Sequence, residues 1–133
     1  PNAYHRLLEK LSAITGAYLC EQIRQGVHAV TIMDSWAGYL SPKDYREFVQ
    51  PHTRSVIAYV KAQFPNVPVV HYANGAPTLL DDFVKLGVDV WGWIGGWNCL
   101  ALSRRIPDKC SRATSIPAIC FLRRRKLRPK WGR

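Results

Sequence analysis

The run from His28 to Asp44, "HAVTIMDSWAGYLSPKD", limits what this chain can fold into more than any other stretch. Its first part packs β-branched and apolar residues into a strand-length segment. Such a near-continuous apolar run is what a parallel strand covered on both faces requires. Its second part is a helix start. Ser41 is the N-cap, Pro42 takes the first helical position, and Asp44 stands where it can answer the cap from the third. A strand that feeds through a short turn into a capped helix is half of a βαβ unit.

The rest of the chain repeats that logic. From His5 to Gln25 the apolar positions Leu7, Leu11, Ile14, Tyr18 and Ile23 recur at helical steps, which predicts an amphipathic helix with that stripe as its buried face, closed by Gly26. After Ser41 the apolar face runs through Tyr45, Phe48, Val49, Val56, Ile57 and Val60. Pro51 interrupts it, which predicts a kink or two abutting helices near Gln50. "PNVPVVHYANG" (65–75) reads as a second strand, "PTLLDDFVKLG" (77–87) as a short helix and "VDVWGW" (88–93) as a third strand. The order α, β, α, β, α, β implies an α/β fold with right-handed crossovers and a parallel sheet. Chemistry in such folds sits on the loops that leave the C-terminal strand ends, here "DSWAGYLSP" and "YANGAP".

Charge and cysteine usage narrow the function classes. The net charge of +10 is unevenly spread: residues 1–109 hold 11 basic and 9 acidic residues, and Cys110 to Arg133 adds eight basic residues and no acidic one. A nucleic-acid partner would therefore rest on the tail alone. Cys20, Cys99, Cys110 and Cys120 form no C-x-x-C pair and have no His at ligand spacing, so neither a zinc site nor any other metal is expected, and a reducing compartment is. No apolar run reaches the roughly 18 residues of a membrane span. The chain opens on Pro1, which suggests a fragment.

The segment Ile32 to Pro51 resembles the uroporphyrinogen decarboxylases. Members of that family carry a strand ending in Phe and then Asp or Glu, Ser, an aromatic, Ala and Gly, followed by a Leu-Ser-Pro or Leu-Gly-Pro and a helix with a Phe-x-x-Pro. The matching residues are Asp34, Ser35, Trp36, Ala37, Gly38, Leu40, Ser41, Pro42, Phe48 and Pro51. "VPVVHYANGAPTLLDDFVKLGVDVWG" is similar to the family's next strand, loop and helix, so the resemblance covers residues 1–90. It implies a piece of an eight-stranded (β/α) TIM barrel with about three parallel strands. The implied activity is removal of the acetate carboxyls of uroporphyrinogen III to give coproporphyrinogen III, a step of haem biosynthesis, with no metal or organic cofactor. The protonated pyrrole of the substrate would act as electron sink while protein charges hold the carboxylates. A porphyrinogen substrate, a homodimer in the full-length protein and a cytoplasmic location (plastid in a plant) follow from the same resemblance. No membrane partner is implied.

Within the family motif, Ser35 falls on a substrate-binding Ser, Met33 falls where the family often has a Phe beside the substrate, and Asp34 lies between them. The family's upstream Arg pair, the Asp at the pyrrole nitrogens, the substrate-contacting Tyr and the downstream His have no counterpart, so no catalytic residue is assigned and the isolated chain is expected to be inactive. Read without the resemblance, Ser35 is a turn serine bonded to its own backbone. Asp34 is either a general acid or base or a cap for nearby amides. His71 either faces a ligand or is a core histidine with its hydrogen bond satisfied. Asp81 and Asp82 suit a helix start. Trp91, Trp93 and Trp97 could form a stacking platform. A corrinoid-dependent methyltransferase of the same superfamily, with zinc on His and Cys, and a basic nucleic-acid-binding module are the alternative functions. "DSWAG" favours the decarboxylase.

After Val90 the family pattern stops in the printed sequence and continues in another frame. Joining the third base of each codon to the first two of the next lets Val90 to Asn98 spell V-G-L-D-W-W-V-E and Lys109 to Cys120 spell V-L-Q-G-N-V-D-P-G-Y-M. The Asp and Glu of the first block are forced by Trp93–Ile94 and Trp97–Asn98. Residues 91–133 are therefore expected to be an out-of-frame segment, an irregular basic tail appended to a partial barrel of residues 1–90. Sequencing the coding DNA tests this. The shifted frame should spell an uninterrupted Gln-Gly-Asn-x-Asp-Pro at this position, and any other reading contradicts it.

Overall fold

The computed structural model describes residues 2–94 and 119–123. Helix α1 (Asn2–Arg24) leads to strand β1 (Val30–Asp34), a 3-10 turn (Ala37–Tyr39), one α turn, α2 (Pro42–Asp44), a π-turn (Tyr45–Val49) and α3 (Gln50–Gln63). Strand β2 (Val69–Asn74) follows, then a 3-10 turn (Pro77–Leu79), α4 (Leu80–Val84), β3 (Val90–Ile94) and β4 (Ile119–Arg123). The sheet order is β1-β2-β3-β4. The first three strands are parallel, with Ile32 opposite His71 and His71 opposite Trp91. This is the α/β arrangement expected of a piece of a parallel barrel.

Local signals produce the element ends. Gly26 adopts φ +99°, and its N–H and that of Val27 return to the carbonyls of Ile23 and Gln22, which closes α1 in the left-handed conformation glycine tolerates. Ser41 Oγ accepts from the Asp44 N–H at 3.1 Å and donates to the Asp44 carboxylate at 2.7 Å, so the predicted cap forms. The interruption expected at Pro51 takes the form of the π-turn. The Gln50 N–H reaches back five residues to the Tyr45 carbonyl, which lets the helical run absorb a proline that donates no bond of its own.

Two packing expectations are corrected. The α1 stripe of Leu7, Leu11, Ile14 and Tyr18 is exposed, and of the predicted face only Ile23 is buried. Helix α1 instead buries Gly16, Leu19, Cys20 and Ile23. Gly16 sits so close to the Tyr59 ring of α3 that a Cβ would lie 2.9 Å from it, so the smallest residue rather than the apolar stripe sets the crossing. Strand β1, expected to be covered on both faces, alternates instead: Val30 is buried, whereas Thr31 and Met33 are exposed. The helices pack into one core with Val30, Val69, Ala73 and Trp91, and on the opposite sheet face Thr31 and Met33 of β1 are exposed whereas Val70 and Tyr72 of β2 are half-buried.

Residues 119–123 form β4, antiparallel to β3, with Val90 opposite Arg123. A closed parallel barrel would offer that edge a parallel strand. Trp97, Cys99, Cys110 and the greater part of the basic segment 91–133 lie outside the described residues, as does most of the region assigned to the shifted frame.

One ionic cluster pins the start of the sheet. The Asp89 carboxylate accepts from the Val69 N–H at 2.8 Å and pairs with Lys61, whose ammonium also donates to the Val67 carbonyl at 2.8 Å. The same Asp89 donates its own N–H to Val69 O. Replacing Asp89 with Ala strips the Val69 amide of its acceptor and the Lys61 ammonium of its counter-charge. Denaturant unfolding should show a loss of about 2 kcal/mol, and an unchanged midpoint would contradict the assignment.

Candidate functional site

The two loops singled out in the sequence meet in space. The 3-10 turn after β1 lies against the loop after β2 so closely that a Cβ on Gly38 would stand 2.5 Å from the Gly75 carbonyl oxygen and 2.7 Å from that of Asn74. Both obstacles are backbone, so only glycine fits there. Gly75 itself takes φ +58°, which turns the chain sharply out of β2 toward Pro77. Ala37 is buried beneath this contact, whereas Trp36 and Tyr39 project from it with their rings 5.1 Å apart.

Strand alternation separates the three candidate residues. Met33 points to the open face and is 62% exposed, and Ser35 is exposed in the turn that follows. Asp34, between them, has its side chain on the helix-covered face, the face that also carries His71 of β2. The structure thus sends Met33 and Asp34 to opposite faces of the sheet and leaves Ser35 exposed in the turn beyond them.

Asp34 belongs to a buried polar group that the sequence did not reveal as a unit. His71 is 1% exposed, and its Nε2 lies 3.5 Å from Asp34 Oδ2 without hydrogen-bond geometry. The Tyr45 ring stacks edge-on against Phe83 at 5.5 Å, and the His71 ring lies 5.0 Å from the same Phe83. Burial first, then the negative charges of Asp34 and Asp82, and last the approach of the Asp34 carboxylate to the hydroxyl, short of hydrogen-bond geometry, raise the Tyr45 pKa far above the usual phenol range, so the hydroxyl keeps its proton. Asp34 Oδ2, Tyr45 Oη, His71 Nε2 and Asp82 Oδ2 are all buried, with no protein hydrogen-bond partner among the described residues. The satisfied hydrogen bond expected of a core histidine is thus missing at Nε2.

Asp82 is more than a helix-start charge. Its side chain is almost fully buried, its Oδ1 accepts from Arg46 Nε at 2.8 Å, and its backbone carbonyl accepts from the Gln50 amide at 3.2 Å. This pair ties the π-turn to α4. Trp91 is a core residue rather than part of a stacking platform: it is 2% exposed and its indole N–H donates to Phe83 O at 2.6 Å. Among the described residues no group of three His, Cys, Asp or Glu is arranged to hold a metal ion, and no helix is long and apolar enough to cross a membrane.

Comparison with known proteins gives the geometry its family. The sequence profile described as uroporphyrinogen decarboxylase (URO-D) matches residues 1–121. A uroporphyrinogen decarboxylase of Chlorobaculum tepidum is 38% identical over 124 residues, covering 91% of this chain and 35% of its own length. One of Prochlorococcus marinus is 41% identical over 90 residues, 68% of this chain and 26% of its own. One of Chlorobium phaeovibrioides is 32% identical over 136 residues, the whole of this chain and 38% of its own. The chain spans about a third of the length of the curated relatives it matches. With a strand, glycine turn and capped helix that match the motif, and with profile and relatives in agreement, the chain belongs to the uroporphyrinogen decarboxylase family.

Proposed function

We propose that this chain is the part of a uroporphyrinogen decarboxylase that supplies one wall of the substrate site, and that the complete enzyme removes the acetate carboxyls of uroporphyrinogen III. The observation that carries the reading is at the C-terminal end of β1: Met33 is exposed on the face away from the helices and Ser35 is exposed in the turn that follows, beside two loops locked together at Gly38. Catalytic groups of parallel barrels gather at that end.

In this reading the Met33 side chain offers an apolar surface to a pyrrole ring. The Ser35 hydroxyl donates a hydrogen bond to a substrate carboxylate, and its position depends on the turn that Gly38 permits. The backbone of Asp34 connects the two, with its side chain engaged behind the sheet. Neither residue moves an electron pair. They hold the macrocycle so that groups elsewhere in the barrel can act on it. The complete enzyme would be a cytoplasmic homodimer without metal or organic cofactor. Residues after about Val90 would be an out-of-frame reading of the next barrel segment, which removes the basic tail as an argument for a nucleic-acid partner.

Two measurements test the proposal. The 133-residue chain should turn over no uroporphyrinogen, whereas the full-length, frame-restored protein should produce coproporphyrinogen. In that protein Ser35→Ala should lower kcat/KM by roughly 2- to 10-fold, the worth of one hydrogen bond. Gly38→Ala should lower it further, because a methyl group would collide with two carbonyls. Turnover by the isolated chain, or an unaltered Ser35→Ala enzyme, would overturn this account.

A further inference from the structure

We propose that Asp34, Tyr45 and His71 enclose a bound water molecule behind the substrate face, and that this water ties the end of β1 to β2 and to the π-turn. Three elements converge there. Asp34 ends β1, His71 lies in β2 opposite Ile32, and Tyr45 opens the π-turn, with the Phe83 ring forming a shared apolar wall. Asp34 Oδ2, Tyr45 Oη and His71 Nε2 are buried and have no protein hydrogen-bond partner among the described residues. The 3.5 Å between the carboxylate and the imidazole is too long and too poorly aligned for a good direct bond.

Donor and acceptor counting favours water as the occupant. A protonated phenol donates, a carboxylate accepts, and an imidazole nitrogen does either according to its tautomer. A water molecule can accept from Tyr45, donate to Asp34 and complete its third bond at His71, which is the number of partners that buried waters usually make. Burial of the phenol beside two carboxylates keeps it in the donor form this arrangement needs. Asp82 Oδ2 is the fourth unpartnered atom of the neighbourhood and a further acceptor. One carboxylate, one neutral phenol and one imidazole make a poor set for a metal ion and an adequate one for water.

The consequence lies on the other side of the strand. Met33 and Ser35 flank Asp34 in the chain, so whatever fixes the Asp34 side chain on the helix face also fixes the backbone from which those two residues project. Asp34, Tyr45 and His71 are positioning residues in this scheme, and the inference holds for the fold whatever the substrate.

A crystal structure of this chain that shows ordered solvent, together with hydrogen exchange of variants, tests the proposal. A solvent peak should lie within hydrogen-bond distance of Asp34 Oδ2, Tyr45 Oη and His71 Nε2. In Tyr45→Phe the amides of Asp34 and Ser35 should exchange roughly fivefold faster, as the loss of one hydrogen bond predicts, with the amides of α1 unchanged. His71→Gln retains a polar group that can meet the water and should leave exchange near the native rate, so it separates the network from simple packing. A dry cluster with Tyr45 donating directly to Asp34 would overturn the water site. Unchanged exchange in Tyr45→Phe would overturn the tie even if solvent is found.

Discussion

Every feature of this molecule depends on the rule that two parallel strands cannot be joined by a hairpin. The chain must leave β1 at Asp34, travel the length of the sheet and return at Val69, and must do so again between Asn74 and Val90. Right-handed crossovers put both returning segments on the same face. That face becomes the core, where Tyr45, Val56, Ile57, Val60, Leu79 and Phe83 pack against Val69, Ala73 and Trp91. The opposite face carries exposed Thr31 and Met33, with Val70 and Tyr72 half-buried beside them. Because side chains alternate along a strand, neighbours such as Met33 and Asp34 have opposite surroundings, and the division between the exposed face and the helix-covered face follows.

Polar groups secure the two ends of the sheet in different ways. At the start of β2 and β3, Asp89 Oδ2 meets a backbone amide and the Lys61 ammonium, which balances its charge. At the other end Asp34, His71 and Tyr45 lie close together without direct bonds. A buried group left without a partner is costly, so this end, which also carries Ser35, depends on the proposed water rather than on direct protein bonds. The first strand has a free edge and α1 presents Leu7, Leu11, Ile14 and Tyr18 to solvent, surfaces that a complete barrel would cover.

The elements that rest on neighbouring residues were legible in the sequence. The Ser41 cap, the Gly26 stop and the β-branched runs at Val30 and Val69 are written within a few positions of where they act. Contacts between distant segments were not. The α1 stripe looked like a core face because periodicity reports where apolar residues lie and not what they meet, and Gly16 against Tyr59 turned the helix the other way. Asp34 and His71 are 37 positions apart, and only the strand register brings them together. The family motif marked Met33, Asp34 and Ser35 as a consecutive triplet, and the pleat of the strand then sends the middle residue to the opposite side. The π-turn was foreshadowed by Pro51, although a proline alone does not say whether a helix bends, breaks or widens.

In a closed barrel of parallel strands, the face away from the helices becomes the wall of the interior. The chain has a single methionine, Met33, which makes its environment directly measurable. Mild peroxide oxidation followed by mass spectrometry should convert Met33 to its sulfoxide at nearly the rate of an unfolded control, because the residue is 62% exposed on the face away from the helices. Protection that is lost only on unfolding would put Met33 in the core and contradict the division of the sheet on which the whole account rests.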